Sequence, residues 1–222
     1  MEVYKFDRTD LENLEDILPW IEEMYKFSLD KKKLKEIENF NDLCELIIAS
    51  INLENNESCT SQQGFYKLRK VIVDLNIADK NLITPETRLK DIFPKNNRIK
   101  LVKNVEEKIG FHLNMIGPPK VVSFPLFIIG LISFVLIFFN WRYGLLGISI
   151  SIIGLFLGFK FGKEFEMDSI RELVKKITTE NYLDLRSNSS TVNKSELKDV
   201  LMDWFSDNLG IEKEKLLVAK FG

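Results

Sequence analysis

The stretch VVSFPLFIIGLISFVLIFFNWRYGLLGISISIIGLFLGFKF, residues 121–161, decides the fold of this chain. Its first apolar run, Val121–Phe139, has nineteen residues and no charge, which is long enough for a helix to cross the hydrocarbon core of a bilayer. The second run, Gly144–Phe159, has sixteen residues and is short unless Lys160 snorkels to the interface and Phe161 extends the apolar face. We therefore predict a hairpin of two transmembrane helices.

The turn and the flanks of this hairpin predict its orientation. The turn is Asn140-Trp141-Arg142-Tyr143, and Trp and Tyr are the residue types enriched at membrane–water interfaces. Three lysines, at positions 120, 160 and 163, flank the outer ends, against the single Arg142 in the turn. Because positive charge favours the cytoplasmic side, we predict an integral membrane protein of the bacterial inner membrane, with both termini in the cytoplasm.

Composition divides the rest of the chain. Residues 1–59 carry 7 basic and 15 acidic side chains, a net charge of −8, whereas residues 60–117 carry 11 and 6, a net charge of +5. We predict an acidic helical region (1–59), a helical domain (60–117), the hairpin (121–161) and a C-terminal helical unit (166–222). The basic domain could rest on anionic lipid, attract the acidic region, or have a solvated surface with no partner.

The soluble regions are predicted to be all-α. Apolar residues recur at helical spacing over 9–27, and Thr60 or Ser61 is placed to cap a further amphipathic helix. A helix over about 194–209 is expected to bury Leu197, Val200, Leu201, Trp204 and Phe205. No strand with regular alternation is visible outside the membrane region.

One segment resembles a known family. Its marks are LNI at 75–77 after an amphipathic helix, the loop element ITPETRLKDI at 83–92, and a helix over 98–109 whose end reads EEKIGF at 106–111. In this order and spacing, residues 65–113 resemble the carrier-protein fold, the small helical bundle of acyl carrier proteins. The resemblance covers about fifty residues of the chain, with a weaker echo in 168–222.

The same resemblance argues against a working carrier. Acyl carrier proteins attach phosphopantetheine to a serine at the start of their recognition helix, and the corresponding stretch here is FPKNNR, residues 93–98. No serine occurs between Ser61 and Ser123, and an asparagine amide cannot accept the phosphodiester. We therefore expect no phosphopantetheine, no other cofactor, and a carrier-like scaffold that is used for binding.

The flanks of the hairpin also resemble each other. LNIADKNLI at 75–83 aligns with LGIEKEKLL at 209–217 at a constant offset of 134. In both flanks a longer helix is preceded by a polar loop and, before that loop, by a shorter helix. The shorter helix covers 42–47 in the first flank and 171–176 in the second. A duplication, with the second copy truncated or capping the first, and a chance similarity both remain open.

The sequence shows none of the usual catalytic or metal-binding motifs. No metal-type cluster of Cys and His, phosphate-binding glycine loop or nucleophile motif occurs, so we predict that the protein is not an enzyme. The basic positions Lys67, Arg69 and Lys70 are more typical of contact with phospholipid or an acidic protein than with nucleic acid. No ionisable residue interrupts either apolar run, which argues against transport.

Small residues mark one face of the second span. Gly154 and Gly158 are four residues apart, a spacing that lets helices approach closely. This face could pack against the first span of the same hairpin or against another copy of the chain.

These observations predict a non-enzymatic, membrane-anchored binding or scaffold protein that meets membrane lipid and a protein partner on the cytoplasmic side. The best candidates for the protein contact are Asn96, Asn97 and Arg98, at the position of a carrier's attachment site, followed by Lys67, Arg69 and Lys70. The alternatives are an accessory subunit of a membrane lipid- or envelope-synthesis complex, and a small membrane regulator that forms homo-oligomers.

Overall fold

The structure, a computed structural model, describes residues 4–221 and is mostly helical, as predicted. Its helices, in chain order, are α1 (Arg8–Tyr25), α2 (Lys31–Leu34), α3 (Phe40–Ser50), α4 (Thr60–Asp74), α5 (Leu89–Ile92), α6 (Arg98–Ile109), α7 (Lys120–Leu136), α8 (Trp141–Phe161), α9 (Ile170–Glu180), α10 (Tyr182–Leu185), α11 (Lys194–Leu209) and α12 (Lys213–Leu216). A 3-10 turn spans Lys80–Leu82. The strands are β1 (Glu54–Asn55), β2 (Ile116–Gly117), β3 (Glu164–Phe165) and β4 (Thr191–Val192).

The described chain divides into two compact units. Unit 1 comprises residues 4–68 and 174–221, and unit 2 comprises residues 69–173, so the boundaries fall inside α4 and α9. Unit 1 is therefore discontinuous in sequence, with unit 2 inserted between its two parts. The acidic N-terminal region and most of the C-terminal helical unit share one core.

That core forms because the amphipathic helices of the two parts bury their apolar faces together. The face of α1 contributes Leu14, Ile17, Leu18 and Ile21. The five apolar residues predicted for the 194–209 helix are all buried on α11, as expected. The C-terminal tail is joined to the N-terminal segment by the backbone of Lys220, whose N–H donates to Tyr4 and whose carbonyl accepts from Phe6.

Two short loops of unit 1 meet where β1 pairs with β4 in parallel, with Glu54 opposite Thr191 and Asn55 opposite Val192. Arg186 holds these loops together and is only 5 % exposed. Its guanidinium donates five hydrogen bonds, whose acceptors are the carbonyls of Asn56 and Ser58 and the hydroxyls of Ser58, Thr60 and Thr191. The polar loops of the two flanks are therefore held together by a buried guanidinium group.

The cap of α4 comes from a distant residue. We predicted that Thr60 or Ser61 would cap this helix, and α4 does begin at Thr60. However, the carboxylate of Glu196 on α11 accepts from the backbone N–H groups of Thr60 and Ser61, at 2.8 and 3.2 Å. The hydroxyl of Thr60 accepts from Arg186 instead. A carboxylate suits this position because it faces the positive end of the helix dipole.

Unit 2 combines helical segments with the apolar hairpin. Its α6 helix covers the predicted residues 98–109 and is followed by Gly110, whose φ of 98° ends the helix in the left-handed conformation. The loop before α5 is joined to the start of α9 by backbone hydrogen bonds, from Leu89 to Asp168 and from Ile170 to Thr87. The remaining part of unit 2 is the hairpin of α7 and α8.

Candidate functional site

The most distinctive site is the helical hairpin. Helices α7 and α8 pack antiparallel. The end of α7 contacts the start of α8, and the end of α8 contacts the start of α7. Near the turn, a Cβ on Gly144 would overlap Ile137, and near the middle a Cβ on Gly130 would lie 2.8 Å from the hydroxyl of Ser151. At the open end, the backbone of Gly162 lies against that of Gly117. Glycines therefore allow close contact along the whole hairpin.

Two serines strengthen this contact. Ser133 and Ser151 are 5 % and 4 % exposed, whereas most neighbouring side chains of the hairpin are exposed. Ser151 donates to the carbonyl of Leu126 on the opposite helix at 2.7 Å. These two hydroxyl groups thus lie between the helices, where a buried hydroxyl can find a hydrogen-bond acceptor.

The outer surface of the hairpin is apolar and unusually exposed for a folded chain. Large side chains such as Phe124, Phe138 and Phe156 are 63 to 79 % exposed. Among residues 4–221, α8 is a helix long and apolar enough to cross a membrane, with only 11 % of its apolar window buried. Monomeric soluble proteins rarely expose a continuous apolar surface of this extent.

The first span is shorter than predicted. The apolar run to Phe139 was expected to form one spanning helix, but α7 has 17 residues and ends at Leu136. Ile137, Phe138 and Phe139 instead form the turn that leads to α8, and the first residue of α7 is the charged Lys120. By length and composition, α8 is therefore supported as a membrane-spanning helix, whereas a crossing by α7 remains a proposal.

The base of the hairpin is closed by a small antiparallel ribbon. Strand β2 pairs with β3, so that Ile116 lies opposite Phe165 and Gly117 opposite Glu164. These residues lie just before α7 and just after α8. The ribbon therefore sets the separation of the two chain segments at the point where they enter the apolar region.

Arg98 at the start of α6 holds this base in place. Its Nε donates to the carbonyl of Phe93 at 3.0 Å, and its NH1 donates to the carbonyl of Lys163. Its guanidinium carbon lies 4.1 Å from the centre of the Phe165 ring, a cation–π contact. Burial lowers the pKa of Arg98, while the nearby Glu164 carboxylate acts in the opposite direction.

This arrangement corrects the prediction for Arg98. The carrier-like reading placed Asn96, Asn97 and Arg98 on a surface offered to a partner. Asn96 and Asn97 are exposed, but Arg98 is only 5 % exposed and its donors are directed to the base of the hairpin. The sequence shows a basic residue at position 98, but it does not show that its acceptor is the carbonyl of Lys163, 65 residues away.

The predicted basic positions on α4 do not form one free face. Lys67 donates to the carbonyl of Asp184 at 2.8 Å within unit 1. Arg69 is half-buried, and Lys70 is exposed on the part of α4 that belongs to unit 2. A contact of Lys70 with an outside partner stays a prediction.

Gly154 and Gly158 lie on the inner side of the hairpin. A Cβ on Gly154 would come within 2.9 Å of Leu126, and one on Gly158 within 3.3 Å of Pro118. Of the two partners considered for this face, the structure therefore uses the other helix of the same hairpin.

A cleft in unit 1 was not foreseen. It has a volume of about 470 Å³, and its apolar wall comes from Leu14 and Leu18 of α1 together with Leu34 and Phe221. Glu15, Glu38, Lys35 and Lys220 also line it. The segments that build this cleft are distant in sequence, so no local pattern could have predicted it.

The two cysteines differ in their exposure. Cys44 is buried, and burial raises the pKa of its thiol to about 12, so it is held neutral. Cys59 is exposed, with its thiol 3.6 Å from the Glu196 carboxylate. Among the described residues 4–221, no group of three His, Cys, Asp or Glu side chains is placed to hold a metal ion.

No protein-family profile, curated protein or solved structure matches this chain.

Proposed function

We propose that this chain is a non-enzymatic, membrane-anchored binding protein, in which the α7–α8 hairpin enters the inner membrane and holds helical units on the cytoplasmic side. The observation that carries the proposal is the hairpin's outer surface, which is apolar and exposed, while Ser133 and Ser151 lie between the two helices. Lipid is the partner that such a surface fits, because it buries apolar side chains without competing for hydrogen bonds.

The length of the hairpin is compatible with two crossings. The 21 residues of α8 span roughly 30 Å at the helical rise per residue. The 17 residues of α7 reach roughly 25 Å, and the turn residues Ile137–Phe139 add apolar length. A small difference between the length of a helix and the thickness of the hydrocarbon core is accommodated by tilting of the helix or by local thinning of the bilayer.

The binding role rests on the carrier-like segment. Residues 60–113 contain a long helix, a 3-10 turn, a short helix and the 12-residue α6, an order consistent with the proposed carrier-like bundle. The stretch at 93–98 offers Asn96 and Asn97 to solvent in place of an attachment serine. The apolar cleft of unit 1 provides a second surface where a protein partner can bury apolar side chains.

Membrane topology is the direct test. In right-side-out and inside-out membrane vesicles, an impermeant maleimide should label the exposed Cys59 only in the inside-out preparation. In a Cys59→Ser background, a cysteine introduced by Tyr143→Cys at the hairpin turn should be labelled only in the right-side-out preparation. Labelling of both positions from the same side would show that the hairpin does not cross, and extraction of the protein by alkaline carbonate would reject anchoring altogether.

The absence of carrier chemistry is tested separately. The intact mass of the protein purified from its host should equal that of the unmodified chain. An added phosphopantetheine would overturn the binding role and restore a carrier function.

A further inference from the structure

The base of the hairpin gathers positive charge at the level where the chain enters the apolar region. Lys120 is the first residue of α7, Lys160 is in the last turn of α8, and Lys163 follows two residues after that helix. Lys120 and Lys160 are exposed, and Lys163 is half-buried. We name these three residues the basal collar.

The three lysines of the basal collar are kept near one another by the backbone. The contact of Gly162 with Gly117 joins the two chain segments immediately beside the collar, and the β2–β3 pairing continues this contact. Arg98 fixes the carbonyl of Lys163 itself. The positions of the collar backbone are therefore set before any ligand binds, which reduces the entropy lost on binding.

The side chain of Lys160 also lies close to aromatic rings. Its Nζ is 6.0 Å from the ring centre of Phe156 and 5.8 Å from that of Phe161. An ammonium group beside the last aromatic residues of an apolar helix is typical of the headgroup region, where the lysine stem stays in apolar surroundings and the charge reaches water.

Two acidic residues, Glu164 and Glu166, lie at the base and reduce its positive charge, and the Glu166 carboxylate is close to Gly117. Glu164 in β3 pairs with Lys95, with 2.7 Å between Oε1 and Nζ, and Lys95 lowers the pKa of this carboxyl group. The charge of Lys95 is thereby offset by that of Glu164. The base thus presents net positive charge next to an apolar surface.

We propose that the basal collar binds the phosphate-bearing headgroups of anionic phospholipids in the bilayer. This inference deepens the proposed function and rests on it, since the collar meets headgroups only if the hairpin is inserted. Each lysine near an anionic surface is expected to raise the affinity roughly fivefold, and the compact arrangement directs the three charges to the same lipid layer.

The test measures lipid selectivity of the full-length protein. The protein in mild detergent is exposed to an equimolar mixture of phosphatidylglycerol and phosphatidylcholine, repurified, and its bound lipids are counted by mass spectrometry. We expect wild type to retain phosphatidylglycerol several-fold over phosphatidylcholine, and the triple variant Lys120→Gln, Lys160→Gln, Lys163→Gln to approach equal retention. The matched control removes the same charge from the exposed Lys31, Lys32 and Lys33 of unit 1 and should keep the wild-type ratio.

A second variant acts in the opposite direction and does not depend on removing collar residues. Glu164→Gln releases Lys95 from its pair and should increase the retention of phosphatidylglycerol by a further severalfold. Equal retention of both lipids by wild type, an unchanged ratio in the collar variant, or an equal loss in the unit 1 control would each overturn the proposal. Carbonate extraction of the membranes from which each variant is purified separates this failure from failure of anchoring, because an integrated protein without lipid selectivity rejects only the collar.

Discussion

The hydroxyl of Ser133 in α7 occupies the space that a Cβ on Gly147 in α8 would need. The reverse pair, Ser151 of α8 against Gly130 of α7, lies about one helical turn away. Each helix therefore supplies one serine and one glycine to the contact. This reciprocal arrangement brings the two backbones close together and places both hydroxyls between the helices.

Enlarging Gly147 should separate the helices. We expect Gly147→Val to destabilise the hairpin by about 1–3 kcal/mol, because the new side chain must displace Ser133 from a closely packed contact. The thermal unfolding of the protein in detergent, followed by circular dichroism, measures the effect. Ile152→Val on the exposed side of α8 is the control, and equal midpoints for the two variants would contradict the packing.

Exchanging the two residues provides a stricter version of this experiment. The double variant Ser133→Gly, Gly147→Ser moves the hydroxyl to the other helix while keeping the total volume. It should recover much of the stability lost in Gly147→Ser alone, since contacting residues show non-additive effects.

Arg98 is predicted to stabilise the base of the hairpin. Replacing it in Arg98→Met removes the donor to the carbonyls of Phe93 and Lys163, which should cost about 2 kcal/mol or more. Hydrogen exchange should accelerate in the β2–β3 ribbon, at the backbone amides of Gly117 and Glu164. Lys100→Met, an exposed change on the same helix, should leave this exchange unaltered, and unchanged protection in Arg98→Met would reject the role of Arg98.

Glu196 is predicted to stabilise the first turn of α4. Glu196→Ala removes the acceptor for the N–H groups of Thr60 and Ser61, and loss of such a cap typically costs about 1 kcal/mol. The two amides should exchange faster with solvent than in wild type. Glu57→Ala changes an exposed acid of the preceding loop and should have little effect; if both variants behave alike, Glu196 does not act as the cap.

The two thiols should differ in reactivity. At pH 8, a thiol reagent should modify Cys59 in the native protein and leave Cys44 unmodified until unfolding, because Cys44 is buried and its pKa is raised to about 12. Cys59→Ser should abolish the native reaction, and Cys44→Ser should preserve it. Rapid labelling of Cys44 in the folded protein would contradict the burial.

The same thiol predicts a pH dependence. Below its ordinary pKa of 9.0 the Cys44 thiol is neutral in both the folded and the unfolded chain. As the pH rises from 9.0 towards about 12, the unfolded thiol ionises while the folded one does not, so the free energy of unfolding decreases. A Cys44→Ala variant should lose stability less steeply over this range.

Local patterns predicted much of the helical structure. The apolar stripe of α11 and the bounds of α6 each follow from residues within a few positions of one another. The end of α7 was missed because residues 131–139 contain neither Gly nor Pro, so nothing in the local sequence marks Leu136 as the last helical residue. In the structure Ile137 packs against Gly144 at the turn, a contact that the apolar pattern does not show.

The long-range parts of the candidate site could not be predicted in this way. Glu196 caps α4 from 136 residues away along the chain, and Arg98 donates to a carbonyl 65 residues away. A hydrophobic period reports which face of a helix is buried, but it does not identify the partner that covers it. The cleft in unit 1 was missed for the same reason.

The discontinuity of unit 1 determines the order of events during synthesis. The ribosome completes the N-terminal part of unit 1 first, yet this part lacks the second half of its core until the chain beyond α8 has emerged. Under the proposed anchoring, α7 and α8 reach the insertion machinery during this interval. The nascent N-terminal helices must therefore persist without their final partners, exposed to chaperones and proteases, while the membrane segment is already being inserted.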